Sequence, residues 1–425
     1  MEMMGKATGI GPRHGARQRS PVAARFNLAA AGRITMPTTG QVKVMSNGDA
    51  PAGLEGVVVA HTQIGDVRGL EGFYHYRQYD AVELNRRRSL EDVWHLFFRG
   101  HLPDAAERAR FAGEISDHRV LPGALIPFLR TLATTDPFDP LTALRTAISF
   151  AAERSGFRSW LDISPEQLYD NAMQLSAQTP VLLAALHRLH RGQEPVAPDP
   201  ELSAAGNYLF MLSGQRPDPQ HVWALERYLI STIDHGFNSS TFTARVIAST
   251  GADLGAAVTG AIGALSGPLH GGAPSRVLDM LDDIGRPELA EAWVREAVGR
   301  GDKIMGFGHR VYKGKDPRSA LLREVATTVG GSTAEFAVAV EDTIVRVLAE
   351  AKPGRALNAN VEFYAGVVMD ACGIPRDMFT PTFASSRVIG WCTHVLEQVA
   401  GNRLIRPSAR YDGEAPPVPV PAADQ

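Results

Sequence analysis

Beyond residue 53, apolar residues recur mostly every three or four positions, which predicts a succession of helices. Ser89 is a candidate N-cap for a helix over Leu90–Arg99, which would end before Gly100. Residues 334–351 show the same helical spacing. Strands that alternate regularly with helices are absent from this pattern. The sequence therefore predicts a mainly α-helical protein and argues against a doubly wound α/β fold.

Prolines and glycines mark further helix boundaries. Ser164 and Pro165 form a helix start, because proline is favoured at the first helical position. Residues 180–191 predict another helix, which stops at the glycine that follows. Few segments alternate with a period of two. Of these, residues 56–60 and 73–76 predict a small hairpin near the start of the folded part.

A segment rich in alanine and valine is punctuated by five glycines. In a helix each glycine costs about 1 kcal/mol relative to alanine, which makes sense where another helix or a ligand approaches the backbone closely. We therefore predict a buried helix at a tightly packed interface, and contact between subunits is one interpretation. The five glycines are Gly251, Gly255, Gly260, Gly263 and Gly267.

The charge-free run at 254–275 contains glycines, two prolines and a histidine, so we do not predict a membrane span.

Composition narrows the class of protein. The chain has 425 residues, and its 43 basic and 46 acidic side chains give a net charge of −3. With 44% hydrophobic residues it can bury a large core, and the balanced charge gives no reason to expect nucleic-acid or membrane-surface binding. The two cysteines, Cys372 and Cys392, exclude a disulfide framework and a multi-cysteine zinc site, and they suit a reducing compartment such as the cytoplasm.

The first fifty residues differ from the rest. Glycine, alanine, serine and proline dominate there, and no helical or strand period is sustained. We predict a disordered basic tail at 1–50. An organelle transit peptide is one alternative, and a later start at Met36 or Met45 is another. This segment contains only two acidic residues, Glu2 and Asp49, and seven basic ones: Lys6, Arg13, Arg17, Arg19, Arg25, Arg33 and Lys43.

Three clusters carry candidate chemistry. The first places His270 on a glycine-flanked turn, SGPLHGGA, where the ring could reach a ligand or could be structural. The second, MGFGH, ends at His309 and leads to a helix start that carries Arg318, an arrangement suited to an anionic ligand or to a plain loop. The third, NVEFY, places Glu362 among apolar neighbours. Burial would strengthen this carboxylate as a base, whereas exposure would leave it a favourable helix-start residue.

Other histidines give weaker signals. His95 and His394 are expected to be packed helix residues. No HxxxH helix with a nearby acid stands out, so the sequence indicates no metal-dependent catalysis.

In their order along the chain, these motifs resemble the citrate synthase family. The resemblance runs from Gly53 to Pro407, through His235 with Asn238, SGPLHGGA, MGFGHRVYKGKDPR and NVEFY, to Arg387 and Arg406. It implies an all-α, citrate synthase-like fold with a large helical domain and a smaller mobile one. The large domain would comprise 51–272 and 373–425, and the small domain 273–372. It also implies a homodimer.

The resemblance further implies an acyltransferase that condenses acetyl-CoA with oxaloacetate and hydrolyses citryl-CoA to citrate and CoA. His270 and His309 would be catalytic, with Glu362 as the base. The enzyme would need no permanently bound cofactor and no metal, with the coenzyme A thioester as a substrate. Oxaloacetate would be bound by His235, Arg318, Arg387 and Arg406, the last reaching the other subunit's site. Coenzyme A would contact Lys303, Met305, Gly306, Phe307, Gly308 and Asn360.

One departure concerns the base. Better-known family members have Asp where this chain has Glu362, and the extra methylene moves the carboxylate by about 1 Å, a displacement that can cost about 100-fold in rate. A 2-methylcitrate synthase that uses propionyl-CoA is one alternative function. A catalytically weak paralogue that binds acyl-CoA or oxaloacetate is an alternative of another class. We expect the protein to accommodate Glu362. We also expect domain closure, with Gly271, Gly272 and Gly373 as hinges.

Overall fold

The computed structural model describes residues 51–271, 274–309, 311–355, 357–421 and 423, with the backbone alone at 274 and 275. Val58–Ala409 form one compact unit, and the described residues at 51–57 and from 410 onward belong to a second. The predicted tail at 1–50 and the predicted hinge Gly272 lie outside the described residues. Among the residues that are described, no helix has the length and apolar character needed to cross a membrane.

The compact unit is built from α-helices, as the apolar spacing predicts. The helices are α1 Ala81–Arg87, α2 Leu90–Arg99, α3 Ala105–His118, α4 Ile126–Ala133, α5 Pro140–Arg154, α6 Pro165–His190, α7 Ala204–Ser213, α8 Pro219–Thr232, α9 Ser239–Ser249, α10 Leu254–Leu265, α11 Pro274–Ile284, α12 Ala290–Arg300, α13 Pro317–Val329, α14 Ser332–Ala351, α15 Val361–Ala371 and α16 Phe379–Ala400. Short 3-10 turns occur at Ala52–Leu54, Gly123–Leu125, Trp160–Asp162, Pro287–Leu289 and Arg376–Met378.

A small antiparallel sheet precedes the first helix. Its strands are β1 Gly65–Arg68, β2 Phe73–Tyr76 and β3 Tyr79–Asp80, in that order. The predicted strand at 73–76 is therefore confirmed, with Tyr74 and Tyr76 on the buried face. The predicted strand at 56–60 is wrong, since β1 is the partner of β2. Residues 57–59 are exposed valines, and alternation alone does not reveal that they lack a partner strand.

The predicted helix ends are confirmed at α2 and corrected at α6. The Ser89 side chain accepts from Asp92 N, and Gly100 ends α2 with φ +86°. The helix start at Ser164 is also confirmed by a capping box. However, α6 continues through Pro180 to His190, so residues 180–191 do not form a separate helix. Proline inside a helix costs about 3 kcal/mol, and burial of α6 against α16 and other helices outweighs that cost.

The glycine-punctuated segment is the buried helix α10. A Cβ at Gly255 would overlap Ala152 of α5, and a Cβ at Gly260 would overlap Ile247 of α9. These glycines therefore allow α10 to lie against two helices at once, as the sequence predicts.

The candidate site is positioned by three helix starts and by the middle of α16. Asn238, Asp316 and Asn360 are the N-caps of α9, α13 and α15, and each side chain accepts from a backbone N–H of the first turn. Val361 N at the start of α15 also donates to Asp316 Oδ2 at 3.0 Å, which ties α15 to α13. Helix starts carry partial positive charge, so their grouping favours anions.

Candidate active site

One pocket brings together six of the seven side chains predicted for catalysis and oxaloacetate binding. Its lining also includes Tyr228, Thr232, Asn360 and Phe383. The six predicted side chains are His235, His270, His309, Arg318, Glu362 and Arg387.

Arg318 is a buried cation held by a carboxylate. It is 3% exposed, its Nε donates to Asp316 Oδ1 at 3.0 Å, and its Nη2 donates to Asp316 Oδ2 at 2.8 Å. Burial lowers the pKa of the guanidinium, but Asp316 more than offsets this, so the pKa is raised. Because Asp316 occupies one edge of the guanidinium, the Nη1 end remains for a ligand.

Arg387 is buried without a carboxylate partner in the described part of the chain. It is 2% exposed, its Nε donates to Thr232 O at 2.7 Å, and its guanidinium lies 4.6 Å from the centre of the Phe383 ring. Burial lowers its pKa, and nearby Asp234 limits the effect. A buried charge is costly unless it is paired, so the Nη groups of Arg387 form a strong candidate site for a substrate carboxylate.

The first turn of α9 determines which nitrogen of His270 carries the proton. Ser240 N donates to His270 Nε2 at 3.3 Å, and Ser240 Oγ lies 2.8 Å from the same nitrogen. Burial and the charge of Arg387 lower the pKa of His270 to about 4. The ring is therefore neutral at pH 7, and since Nε2 accepts, its proton is on Nδ1.

His309 has the opposite arrangement. Its Nδ1 accepts from the backbone N–H groups of Val311 and Tyr312, both at 3.0 Å. Burial and the charge of Arg318 lower its pKa to about 4, so the ring is neutral and its proton is on Nε2. Arg318 Nη2 lies 3.3 Å from this Nε2. Both groups are donors, so they do not hydrogen-bond to each other. We interpret the contact as two donors that converge on the position of a substrate oxygen, which would accept from both.

His235 lies between these groups. Its Nε2 shares a hydrogen bond of 3.1 Å with the Tyr312 hydroxyl, and its ring centre lies 5.7 Å from that of His309. Burial and the charges of Arg318 and Arg387 lower its pKa well below the usual value, so it is a neutral hydrogen-bonding group.

Glu362 is the second residue of α15 and opens onto the pocket. Burial raises its pKa to about 7, against the effect of Arg318, which lowers it. In the described residues its backbone N–H bonds to the Asn360 cap, whereas its carboxyl group has no hydrogen-bond partner. An unpaired carboxyl with a pKa near neutrality is suited to accept a proton from a substrate.

A second cleft adjoins the first. It shares His309, Asn360 and Glu362 with the pocket, and it contains all six residues predicted to contact coenzyme A. Its rim carries four basic side chains, which suits a phosphate-bearing ligand. They are Lys303, Lys313, Lys352 and Arg355.

The glycine loop of this cleft is joined to the segment before α15. Gly308 N donates to Asn358 O and Asn360 N to Gly306 O, both at 2.8 Å. The Asn360 side chain donates to Gly308 O at 2.8 Å. At Gly306 a side chain would clash with Phe363, and its φ of +79° favours glycine. The loop and the base are therefore held together by backbone geometry.

Arg406 is the predicted site residue that lies elsewhere. It is exposed and does not line either cleft of its own chain.

Sequence reasoning did not identify several residues that shape the site. Ser240 follows a helix-start pattern at Asn238, and Asp316 stands two residues before Arg318, so capping signals mark both positions. Their contacts with His270 and with Arg318 require the folded chain, and no local pattern marks Tyr312 or Phe383.

Comparison with known proteins agrees with this geometry. The chain is 40% identical over 375 residues to citrate synthase of Haloferax volcanii, which spans 87% of this chain and 97% of that protein. It is 38% identical over 369 residues to citrate synthase 2 of Bacillus subtilis, with 86% and 96% covered.

Solved structures give the same result. A ternary complex of citrate synthase from Thermoplasma acidophilum with carboxymethyl coenzyme A and oxaloacetate superposes with a TM-score of 0.80 at 28% identity, covering 89% of this chain and all of that one. The citrate synthase of Thermotoga maritima gives 0.76 at 33% identity, covering 88% and 98%. The family profile described as citrate synthase, C-terminal domain, matches residues 53–408. With its all-α fold, its site and these relatives, the chain belongs to the citrate synthase family.

Proposed function

We propose that this protein condenses acetyl-CoA with oxaloacetate and hydrolyses the resulting citryl-CoA to citrate and CoA. One observation carries the proposal: an unpaired carboxyl with a pKa of about 7 shares a pocket with two neutral histidines whose proton-bearing nitrogens are fixed oppositely. The chemistry needs a base and two separate hydrogen-bond donors, and Glu362, His270 and His309 supply them.

The first step makes a nucleophile from a weak carbon acid. The Glu362 carboxylate removes a proton from the methyl group of acetyl-CoA. His270 donates Nδ1–H to the thioester oxygen, where negative charge develops. A neutral donor suits this task, because its proton remains shared with the developing enolate oxygen. Ser240 maintains that tautomer through its backbone N–H, which donates to Nε2.

The second step forms the carbon–carbon bond. His309 donates Nε2–H to the ketone oxygen of oxaloacetate, which makes the carbonyl carbon more electrophilic. The enolate carbon attacks that carbon, the ketone π-electrons move to oxygen, and His309 delivers its Nε2 proton to the alkoxide. The proton that Glu362 took from the methyl group then restores His309 and leaves Glu362 ionised. Water then attacks the thioester carbonyl of citryl-CoA, and the carbon–sulfur bond breaks to release CoA and citrate.

Two arginines of this chain bind the carboxylates of oxaloacetate. Arg318 uses Nε and Nη2 for Asp316, which leaves Nη1 for the substrate, and Arg387 uses Nε for the Thr232 carbonyl, which leaves both Nη groups. The pair matches the two negative charges of the substrate. His235 adds a neutral hydrogen bond between them.

Coenzyme A occupies the second cleft. The loop at 303–308 meets the adenine and the pantetheine arm with backbone groups, and the basic rim meets the phosphates. This orientation leads the thioester toward Glu362, because that residue lines both clefts.

The active form is a cytoplasmic homodimer in which Arg406 completes the partner's oxaloacetate site. Its exposure in a single chain leaves it available for that role. Each subunit has a large domain at 51–272 and 373–425 and a small domain at 273–372 that closes over the substrates, with Gly271, Gly272 and Gly373 as hinges. Small-angle scattering with oxaloacetate and a non-reactive CoA analogue should show compaction, and an unchanged profile would contradict closure.

Thiol release tests the reaction. The protein should release CoA from acetyl-CoA only when oxaloacetate is present, and Glu362→Gln should abolish release while the variant still binds oxaloacetate. The matched control is Glu335→Gln, an exposed acid in the first turn of α14. Absence of release at high enzyme concentration would favour a binding paralogue. Comparing kcat/KM for acetyl-CoA and propionyl-CoA decides between citrate and 2-methylcitrate synthesis, since one methylene is worth about 1–3 kcal/mol.

A further inference from the structure

A second group of ligand-type side chains lies apart from both clefts, between α2 and α3. It consists of His95 near the end of α2, His101 in the following loop, and Glu107 in the first turn of α3. One potential ligand atom of each lies within 4.8 Å of the others. None of the three lines the pocket or the cleft described above, so the proposed catalysis does not account for their convergence.

Each of the three side chains is oriented by a backbone group. His95 Nδ1 donates to His101 O at 2.9 Å, and His101 Nδ1 to Arg99 O at 3.3 Å. Both rings therefore leave Nε2 as the basic nitrogen. Glu107 Oε2 accepts from Asp104 N at 3.0 Å within the capping box of α3, which leaves Oε1 for another partner. Metal-binding histidines and carboxylates are commonly held by such secondary hydrogen bonds.

The contact between His101 and Glu107 has about the spacing expected of two ligands of one ion. His101 Nε2 lies 3.1 Å from Glu107 Oε1, while Nδ1 of the same ring already faces a carbonyl oxygen. With the ring proton on Nδ1, the Nε2 lone pair faces the Glu107 carboxylate, and one cation bound between the two atoms would satisfy both. The nearby Arg99 is paired with Glu114 at 2.9 Å, so its own charge is partly neutralised.

We propose that His95, His101 and Glu107 form a structural site for a divalent transition-metal ion of the zinc type. Two imidazoles and one carboxylate, with a water as the fourth ligand, are a suitable set for zinc. Tetrahedral coordination with bonds of about 2.0–2.1 Å places ligand atoms about 3.4 Å apart. His101 Nε2 and Glu107 Oε1 are already 3.1 Å apart, so the shift required is mainly of this pair towards His95. His95 is buried and fixed, whereas the side chains of His101 and Glu107 are 54% and 29% exposed and can move inward.

The ion would clamp the end of α2 to the start of α3. It would tie His95 of α2, His101 of the loop and Glu107 of α3 together, at a place where none of the three lines either cleft.

The test uses the full chain, stripped with a chelator and titrated with Zn²⁺ against a chromophoric competitor. We expect one tightly bound Zn²⁺ per chain and a higher melting temperature when it is present. Co²⁺ should give the visible bands of a tetrahedral complex. Glu107→Gln keeps the capping box, since Gln serves there as well, and should weaken Zn²⁺ binding about 100-fold, as should His101→Gln.

His118→Gln is the matched control. His118 Nε2 lies 3.0 Å from Asp170, and among the described residues this histidine–carboxylate pair has no third ligand group. Its loss should therefore leave Zn²⁺ binding unchanged. Circular dichroism of each metal-free variant establishes that it folds. No stoichiometric Zn²⁺ binding by the native chain, or binding that persists in both Glu107→Gln and His101→Gln, would overturn the proposal.

Discussion

The backbone N–H of Ser240 faces His270 Nε2 at 3.3 Å, and the hydroxyl of the same residue lies 2.8 Å from that nitrogen. An N–H directed at Nε2 is compatible only with a ring that is unprotonated there. The relationship therefore commits the proton of His270 to Nδ1, the nitrogen that the proposed reaction needs as a donor.

Ser240→Ala should reduce kcat about 5-fold, because it removes a hydroxyl contact with the ring worth about 1 kcal/mol while the backbone N–H remains. The KM for oxaloacetate should change little. Ser239→Ala, at the exposed neighbouring position, is the control and should retain full activity. An equal loss in both variants would show that the effect comes from the helix start rather than from His270.

Glu362→Asp should be slower than the native protein, since withdrawing the carboxylate by about 1 Å from a site that accommodates Glu can cost about 100-fold in kcat. The KM for oxaloacetate should be retained, because the arginines are untouched. Steady-state kinetics of CoA release measure both constants. Faster turnover by the Asp variant would mean that the site is not adapted to the longer side chain.

The pH profile should follow the carboxyl group of Glu362. Its pKa is raised to about 7 by burial, and the base must be ionised to act. Activity at saturating oxaloacetate should therefore fall about tenfold per pH unit below 7. His270 and His309, with pKa values lowered to about 4, stay neutral throughout this range and add no second limb.

In Glu362→Asp the midpoint of this limb should move, whereas Ser240→Ala should change its height and leave the midpoint in place. A limb that is identical in the native and the Asp variant would assign the titration to another group.

Arg387 and Arg245 are both buried, but of the two only Arg245 is paired with a carboxylate among the described residues. Removal of Arg387 should therefore weaken oxaloacetate binding, whereas removal of Arg245 should destabilise the fold. Arg387→Met should raise the KM for oxaloacetate about 100-fold, because a buried charged contact to the substrate is lost. It should change the free energy of unfolding by about 1 kcal/mol or less, since the guanidinium has no carboxylate partner to abandon.

Arg245→Met should instead destabilise the fold by about 3 kcal/mol. Arg245 pairs with Glu397 at 2.6 Å and contacts His394 at 3.1 Å. Its loss leaves the partly buried Glu397 carboxylate with neutral donors such as the Gln63 N–H, and His394 with Asp234. Denaturant unfolding without substrate measures the contrast. Comparable destabilisation by both substitutions would indicate that Arg387 has an essential structural role.

Arg406→Ala and Glu362→Gln should complement each other. In a mixed dimer one site combines Glu362 of one subunit with Arg406 of its partner, and the other site lacks both. Random exchange of the two inactive proteins should therefore restore about a quarter of native activity. Mixing Glu362→Gln with His309→Gln should restore none, since both defects would lie in the same half of the site. No recovery in the first mixture would place Arg406 outside the partner's site.

The sequence predicts features that depend on neighbouring residues better than features that depend on contacts between distant parts of the chain. Helix starts such as Ser89 and Ser164 are local, because the cap and the backbone N–H that donates to it lie within three residues, and the sequence predicts both. The family motifs single out His270, His309 and Glu362, and these three residues line one pocket. The hairpin partner of β2 and the passage of α6 through Pro180 depend on distant packing, and the local signals there are misleading.

The finer features of the site also depend on the folded chain. The identity of His309 predicts a proton donor, but the nitrogen that donates is fixed by the N–H groups of Val311 and Tyr312. Likewise, the motif predicts that Arg318 binds an anion, whereas its pairing with Asp316 determines which edge of the guanidinium is available. Spacing along the chain carries no information about these directions.

The bonds that join Gly306 and Gly308 to residues 358–360 have a consequence for the order of events. On the proposed assignments, the surface that holds the thioester and the carboxylate that deprotonates it belong to one rigid half-site. Closure therefore leaves the distance from the methyl group to its base unchanged. Closure changes instead the distance between the thioester and His270, which belongs to the other half. A thioester bound to an open subunit would therefore contact Glu362 before it contacts the donor that makes deprotonation possible.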